Sequence, residues 1–186
     1  MILLPISCNF GNNNSDSVEN VLSFQDSIAV RGILDANGLD TVKVRDVITL
    51  QNSAVVELHF SSSLHLNKFV FSKYLNDLLN NSQGIGLMNN TIDTLIFEDT
   101  IYKDLGIRLD FNKLKTIPDD IVKLKGNISI YLDYNQLTSI SPNIMNCNVS
   151  YVNVDSNYLC NVSDTMKQWL NTKSFSTAWQ SRQTCH

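Results

Sequence analysis

An asparagine recurs at positions 90, 112, 135 and 157, at intervals of 22, 23 and 22 residues. Each stands in the same setting: Ile85-Gly-Leu87-Met-Asn-Asn90-Thr-Ile92, Ile107-Arg-Leu109-Asp-Phe-Asn112-Lys-Leu114, Ile130-Tyr-Leu132-Asp-Tyr-Asn135-Gln-Leu137 and Val152-Asn-Val154-Asp-Ser-Asn157-Tyr-Leu159. The common form is apolar-x-apolar-x-x-Asn-x-apolar. Other positions keep step: Leu95, Ile117 and Ile140 repeat, as do Ile121 with Ile144 and Leu124 with Cys147. Self-similarity at a fixed period of this size implies a chain that passes repeatedly through one structural unit. The apolar-x-apolar portion has period two, so a short strand buries one face. A turn follows, and its inward-facing backbone groups need partners that no strand ladder supplies. A carboxamide carries both donor and acceptor and can serve them. The expectation is a buried ladder of Asn90, Asn112, Asn135 and Asn157.

These motifs resemble the leucine-rich repeat family, whose signature Leu-x-x-Leu-x-Leu-x-x-Asn-x-Leu is matched from its second apolar position onward in all four segments. The Leu-x-x-Ile-Pro-x-x-Ile portion is matched best from Leu114 to Ile121. A fifth, degenerate unit begins at Val55-Val-Glu-Leu-His-Phe60, where Ser63 replaces the asparagine. The resemblance implies an α/β fold: a right-handed solenoid with parallel strands on a concave face, closed by caps because terminal units would otherwise expose the apolar interior. The corresponding division is 1–22 as a signal remnant and linker, 23–54 as N-terminal cap, 55–159 as repeats and 160–186 as C-terminal cap.

Local patterns fill in the ends. Ser23-Phe-Gln-Asp26 reads as a capping box opening a helix whose apolar face is Val30, Ile33 and Leu34, with Asn37-Gly38 as its stop. Thr41 to Ile48 alternates as a strand. Phe71, Tyr74, Leu75, Leu78 and Leu79 have the spacing of an amphipathic helix of about three turns. Ser163 suits the N-cap of a helix burying Met166, Trp169 and Leu170. Four cysteines allow three complete pairings, which spacing alone does not decide. The segment from Asn157 through Cys160 to Cys185 looks like the disulfide-closed C-terminal cap of secreted leucine-rich repeat proteins, which implies a Cys160–Cys185 bond. Cys147, at the position equivalent to Leu124, is expected to act as a small core hydrophobe.

Upstream, the apolar Met1 to Ile6 followed by Ser7-Cys8 resembles the end of a bacterial lipoprotein signal, with Cys8 as the lipidated residue. Pro5 stands where that signal has leucine, and no basic residue precedes the apolar run. The resemblance as a whole is closest to bacterial extracytoplasmic leucine-rich repeat lipoproteins, which implies secretion or anchoring at the cell surface or outer membrane. Six Asn-x-Ser/Thr sequons, at Asn13, Asn80, Asn89, Asn127, Asn148 and Asn161, matter only in a eukaryotic secretory pathway; in a chain with 23 asparagines they arise readily by chance.

Composition narrows the function. A net charge of −4 with a pI near 5.2 disfavours nucleic-acid partners. The CxxC, HExxH and GxSxG motifs are absent from the sequence, and His59 and His65 have no helical ligand spacing. A non-enzymatic protein with no cofactor or metal is therefore expected. Beside the first apolar residue of each segment lie Gly86, Arg108, Tyr131 and Asn153; one step past the second lie Met88, Asp110, Asp133 and Asp155. Three carboxylates stacked on adjacent strands repel unless a cation or solvent offsets them. Arg108, Asp110, Tyr131, Asp133, Asn153 and Asp155 thus form the candidate strip for a protein, peptide or glycan ligand, although well-hydrated aspartates at a strand end would leave the same pattern. Lys113, Lys115, Lys123 and Lys125 read as a solvated face. The functional expectation is a monomeric protein-binding domain that meets a membrane only through a lipid anchor. Two alternatives are a eukaryotic extracellular recognition or inhibitor protein and an accessory module of an enzyme-type effector.

Overall fold

A computed structural model describes residues 21–174 and 177–185. Cys8, the proposed lipid attachment point, and Asn13 lie outside the described residues. The fold is mixed α/β. Helix α1 spans Phe24–Ala36; Ser23 is its N-cap, its hydroxyl accepting from the Asp26 amide, and Gly38 adopts a left-handed φ of 70° just past the C-cap Asn37. Strands β1 (Ile48–Gln51) and β2 (Ala54–His59) form an antiparallel pair. There follow β3 (Lys68–Phe71), β4 (Ser82–Gly86), β5 (Thr94–Phe97), β6 (Asp104–Arg108), β7 (Thr116–Ile117), β8 (Asn127–Tyr131), β9 (Ser139–Ile140), β10 (Asn148–Asn153) and helix α2 (Asp164–Lys173).

The main sheet has the order β1-β2-β4-β6-β8-β10, and every pairing after the first is parallel. Between successive sheet strands the chain leaves for a second layer, where β3 pairs with β5 and β7 with β9, again in parallel. Single-turn 3-10 helices at Asp119–Lys123 and Pro142–Asn146 complete two of these excursions. Parallel neighbours require such a return journey. Leu58, Ile85, Ile107, Ile130 and Val152 lie in register across five strands and are all at most 1% exposed. Leu87, Leu109, Leu132 and Val154 form the next buried row. These rows face the outer layer, whereas the residues on the opposite face of the sheet are exposed or half-buried among the described residues.

Two local expectations fail. The three-turn helix over Phe71 to Leu79 is absent: Phe71 ends β3, its ring stacked on Phe97 with centroids 4.6 Å apart, and only Lys73–Leu75 makes a single 3-10 turn. The segment is held from elsewhere, through the Asn76 side chain and the Leu79 amide. Asn76 bonds the Thr100 carbonyl and the Tyr102 amide, and the buried Asp26 carboxylate accepts from the Leu79 and Val55 amides. Leu75 and Leu78 are buried as a helical reading requires, while Leu79 is exposed. Likewise Thr41 to Ile48 is not a strand. Val44–Asp46 forms a 3-10 turn, and β1 begins only at Ile48, where β2 offers a partner.

At the far end, Ser163 caps α2 by accepting from the Met166 amide, and Met166, Leu170 and Trp179 are buried. Cys160 and Cys185 form a disulfide with Cα atoms 5.7 Å apart. Cys147 is a free thiol, half-buried and bonded to the Ile121 carbonyl; burial pushes its pKa up, so it is a poor nucleophile. A disulfide of this kind belongs to an oxidising compartment. Among the described residues, no helix is long and apolar enough to cross a membrane.

Candidate functional site

The four carboxamides set the geometry of the sheet's edge. Asn135 Nδ2 donates to the Leu132 carbonyl of its own segment (3.1 Å) and to Leu109 of the preceding one (2.8 Å), while its Oδ1 accepts from the Leu114 amide (3.0 Å). Asn112 and Asn157 repeat this pattern on Leu109, Leu87 and the Ile92 amide, and on Val154, Leu132 and the Leu137 amide. Asn90 bonds Leu87, Phe60 and the Leu66 amide. Each of Leu87, Leu109 and Leu132 therefore has its carbonyl served twice. The series does not stop at Asn157. Gln183, delivered from the C-terminal segment two residues before Cys185, donates to Val154 (3.0 Å) and accepts from the Leu159 amide (3.1 Å). It supplies the last rung, a role that no alignment of the repeating segments contains.

The residue before each asparagine, Asn89, Phe111, Tyr134 and Ser156, is left-handed, with φ between 53° and 58°. For bulky side chains that conformation costs on the order of 1 kcal/mol. Here the amides of Asn89, Phe111 and Tyr134 donate to the carbonyls of Asp110, Asp133 and Asp155 on the next strand. The Phe111 and Tyr134 rings, each about half exposed, stack face to face with centroids 4.3 Å apart. The turn thus projects an aromatic pair at the rim of the sheet.

On the opposite face of the sheet, two rows run across the strands in register. Glu57, Gly84, Gly106, Ser129 and Tyr151 form one; His59, Gly86, Arg108, Tyr131 and Asn153 form the other. Beyond the second lie Met88, Asp110, Asp133 and Asp155. Tyr151 reaches its row because β10 carries one extra residue, a bulge between Val149 and Tyr151. The three aspartates differ sharply. Asp110 is only 3% exposed and takes a two-point bond from Arg108, at 2.9 and 3.1 Å. It is not the hydrated carboxylate that its strand-end position suggests. Asp155 is paired with Arg182 of the C-terminal segment. Asp133, between them, has no ion-pair partner among the described residues.

That difference shows in the electrostatics. Partial burial, with the charges of Asp110 and Asp155, raises the Asp133 pKa against the opposing pull of its own backbone amide and of Arg108. Burial first, then Tyr131, Asp133 and Asp155, raises the Tyr151 hydroxyl. The hydrogen bonds that Arg108 donates to Asp110 raise its pKa above the ordinary value. The Arg108 guanidinium also lies 5.1 Å from the Tyr131 ring centroid, and Tyr131 packs against Tyr151 at 5.1 Å. The structure therefore brings Arg108, Asp110, Tyr131, Asp133, Asn153 and Asp155 onto one surface. It adds Glu57, Tyr151, Phe111, Tyr134 and Arg182, which the repeat alignment did not single out. Of the four lysines read as solvated, Lys123 is instead half-buried, its ammonium bonded to the Phe97 carbonyl and Asp120. Comparison with family models, with curated proteins and with solved structures finds no match.

Proposed function

We propose that this chain is a non-catalytic leucine-rich repeat domain, a capped solenoid that works in an oxidising, extracytoplasmic setting and binds a protein partner through the exposed, concave side of its sheet. The repeated carboxamide bonds support the family reading, because they are the reason that signature carries asparagine. The disulfide supports the compartment. The observation that carries the binding reading is Asp133: a half-buried carboxylate without an ion pair among the described residues, set among Tyr131, Tyr151 and the Phe111–Tyr134 stack, between two aspartates that the chain neutralises itself. A stability-optimised surface gains nothing from that arrangement; a recognition surface does, since desolvated charge beside aromatics is where interface energy concentrates.

The test is crosslinking of purified protein to its native extracellular milieu, with Tyr131→Ala/Tyr151→Ala and Lys115→Ala as paired variants. Lys115 is exposed beside β7, in a different sheet. A partner lost with the tyrosine variant and kept with the lysine variant is the expected result. A partner retained by both refutes binding through this face.

A further inference from the structure

Four turns of one geometry carry four different side chains. Asn89, Phe111, Tyr134 and Ser156 are all left-handed, and the amide of each is taken by the chain that follows. Ser156 donates to the Arg182 carbonyl (3.2 Å) as Tyr134 does to Asp155 (3.0 Å). Asparagine tolerates that backbone readily; phenylalanine and tyrosine do so at a cost. The ladder asks for no ring there, since Asn89 and Ser156 complete the same turn without one. Phe111 and Tyr134 therefore carry strain that the fold does not require, and strain of that kind collects where a chain binds or reacts.

The two rings stand on successive turns, with centroids 4.3 Å apart and planes within 6° of parallel. The stack thus runs along the succession of turns. Tyr134 has one face on Phe111 and is still 52% exposed, and no second ring or cation among the described residues lies over it. Its open face looks toward the next turn, where Ser156 offers only a hydroxymethyl group. One rung of the stack is vacant. The charge beside it is already balanced, because Arg182 pairs with Asp155, the residue before Ser156. An uncharged flat group suits that place better than an ion.

We infer that the vacant rung takes an aromatic side chain of a protein partner, which stacks on the open face of Tyr134 above Ser156 and extends the Phe111–Tyr134 pair to three. Offset-stacked rings attract one another beyond the area that they bury, and aromatic side chains are the usual anchors of an interface. A sugar ring would also need polar side chains to bond its hydroxyls, and Asp155 and Arg182 are engaged with each other. The inference rests on the binding reading given above and names the group that the partner presents.

The repeats themselves supply the variants. Tyr134→Asn installs the residue that the first of these turns carries at Asn89, and Ser156→Tyr installs the one that the third carries. Both keep a backbone already present in this chain, and circular dichroism checks that each is folded. Phage-displayed dodecapeptides are selected on the whole chain, and their binding is then measured to both variants, to Tyr131→Ala/Tyr151→Ala and to Lys115→Ala. The expected result is enrichment of phenylalanine, tyrosine or tryptophan, with affinity falling about tenfold or more in Tyr134→Asn, which lacks the platform, and in Ser156→Tyr, which fills the vacancy. Lys115→Ala should bind as the native chain does. Aromatic peptides indifferent to both rim variants overturn the site. Peptides that need Tyr134 but carry no aromatic residue, or saccharides on a glycan array that need it when no peptide does, overturn the occupant. Peptides that depend on Tyr131 and Tyr151 alone overturn the rung and leave the binding face standing. A library with nothing dependent on any of these four residues overturns both.

Discussion

Replacing Asn135 by leucine removes one rung from the middle of the carboxamide ladder, and the structure says which of its bonds matter. The Leu109 and Leu132 carbonyls lose one donor each but retain Asn112 and Asn157. The Leu114 amide loses Asn135 Oδ1 and is left buried. An orphaned buried amide costs about 1–3 kcal/mol, and each demoted carbonyl about 0.5 kcal/mol more. Leucine has as many side-chain heavy atoms but is bulkier, and its methyls cannot sit 2.8–3.1 Å from the Leu109 and Leu132 carbonyls, so overpacking adds to the loss. The expected destabilisation is about 3 kcal/mol, which for a chain of this size lowers the melting temperature by roughly 6–12 °C. Urea unfolding followed by circular dichroism measures it as a lower midpoint at unchanged slope. Asn135→Asp is the informative companion. It keeps an acceptor for Leu114 but turns a second carboxylate oxygen toward two carbonyls, so it should be at least as damaging. A loss below about 0.5 kcal/mol for the leucine variant, within the range of surface substitutions, refutes the ladder as a source of stability.

Gln183→Leu should cost about 2 kcal/mol, because the Leu159 amide is orphaned while Val154 keeps Asn157; thermal unfolding reads it. Reduction of Cys160–Cys185 should cost about 3 kcal/mol by the loop-closure account, and the two losses should be less than additive, since the disulfide holds Gln183 in place; a double perturbation under dithiothreitol checks this. Asp133→Asn should raise stability at neutral pH by a few tenths of a kcal/mol, discounted for the exposure of the group. The Asp133 pKa is raised in the folded state, so its ionised form is unfavourable above that pKa, and the variant's advantage should fade as pH falls through it toward the ordinary value of 3.8. Melting curves at pH 7 and pH 3 compare the two.

The central strands, the rows of buried side chains and the positions of the four asparagines were legible because each follows a rule local to its segment: period two for the strand, a carboxamide for the turn. Helix α1 was legible for the same reason, through Ser23 and Asn37-Gly38. Phe71 to Leu79 was not. Its apolar spacing is helical, but the Leu79 amide is taken by Asp26, 53 residues earlier, and the Asn76 side chain by Thr100 and Tyr102, 24 and 26 residues later, and helical periodicity is blind to them. Asp26 shows the same limit from the other side. Its place in a capping box hid a buried carboxylate tying α1 to β2 and to the Leu79 turn.

The candidate face divides along the same line. Arg108, Tyr131 and the aspartates were found because they occupy repeating positions. What makes the aspartates unequal is not shared by the repeat: Arg108 neutralises Asp110 from its own strand, Arg182 neutralises Asp155 from the C-terminal segment, and Asp133 has no counterpart among the described residues. Tyr151 was missed because it enters the face through a one-residue bulge that the asparagine spacing of 22 does not record. Periodicity thus specifies the scaffold on which the face is built, and the departures from periodicity specify its chemistry. In this chain the departures are a glycine floor on β4 and β6, an extra residue in β10 and a C-terminal segment that covers one end of the aspartate row. Together they leave Asp133 as the aspartate of that row without an ion pair among the described residues.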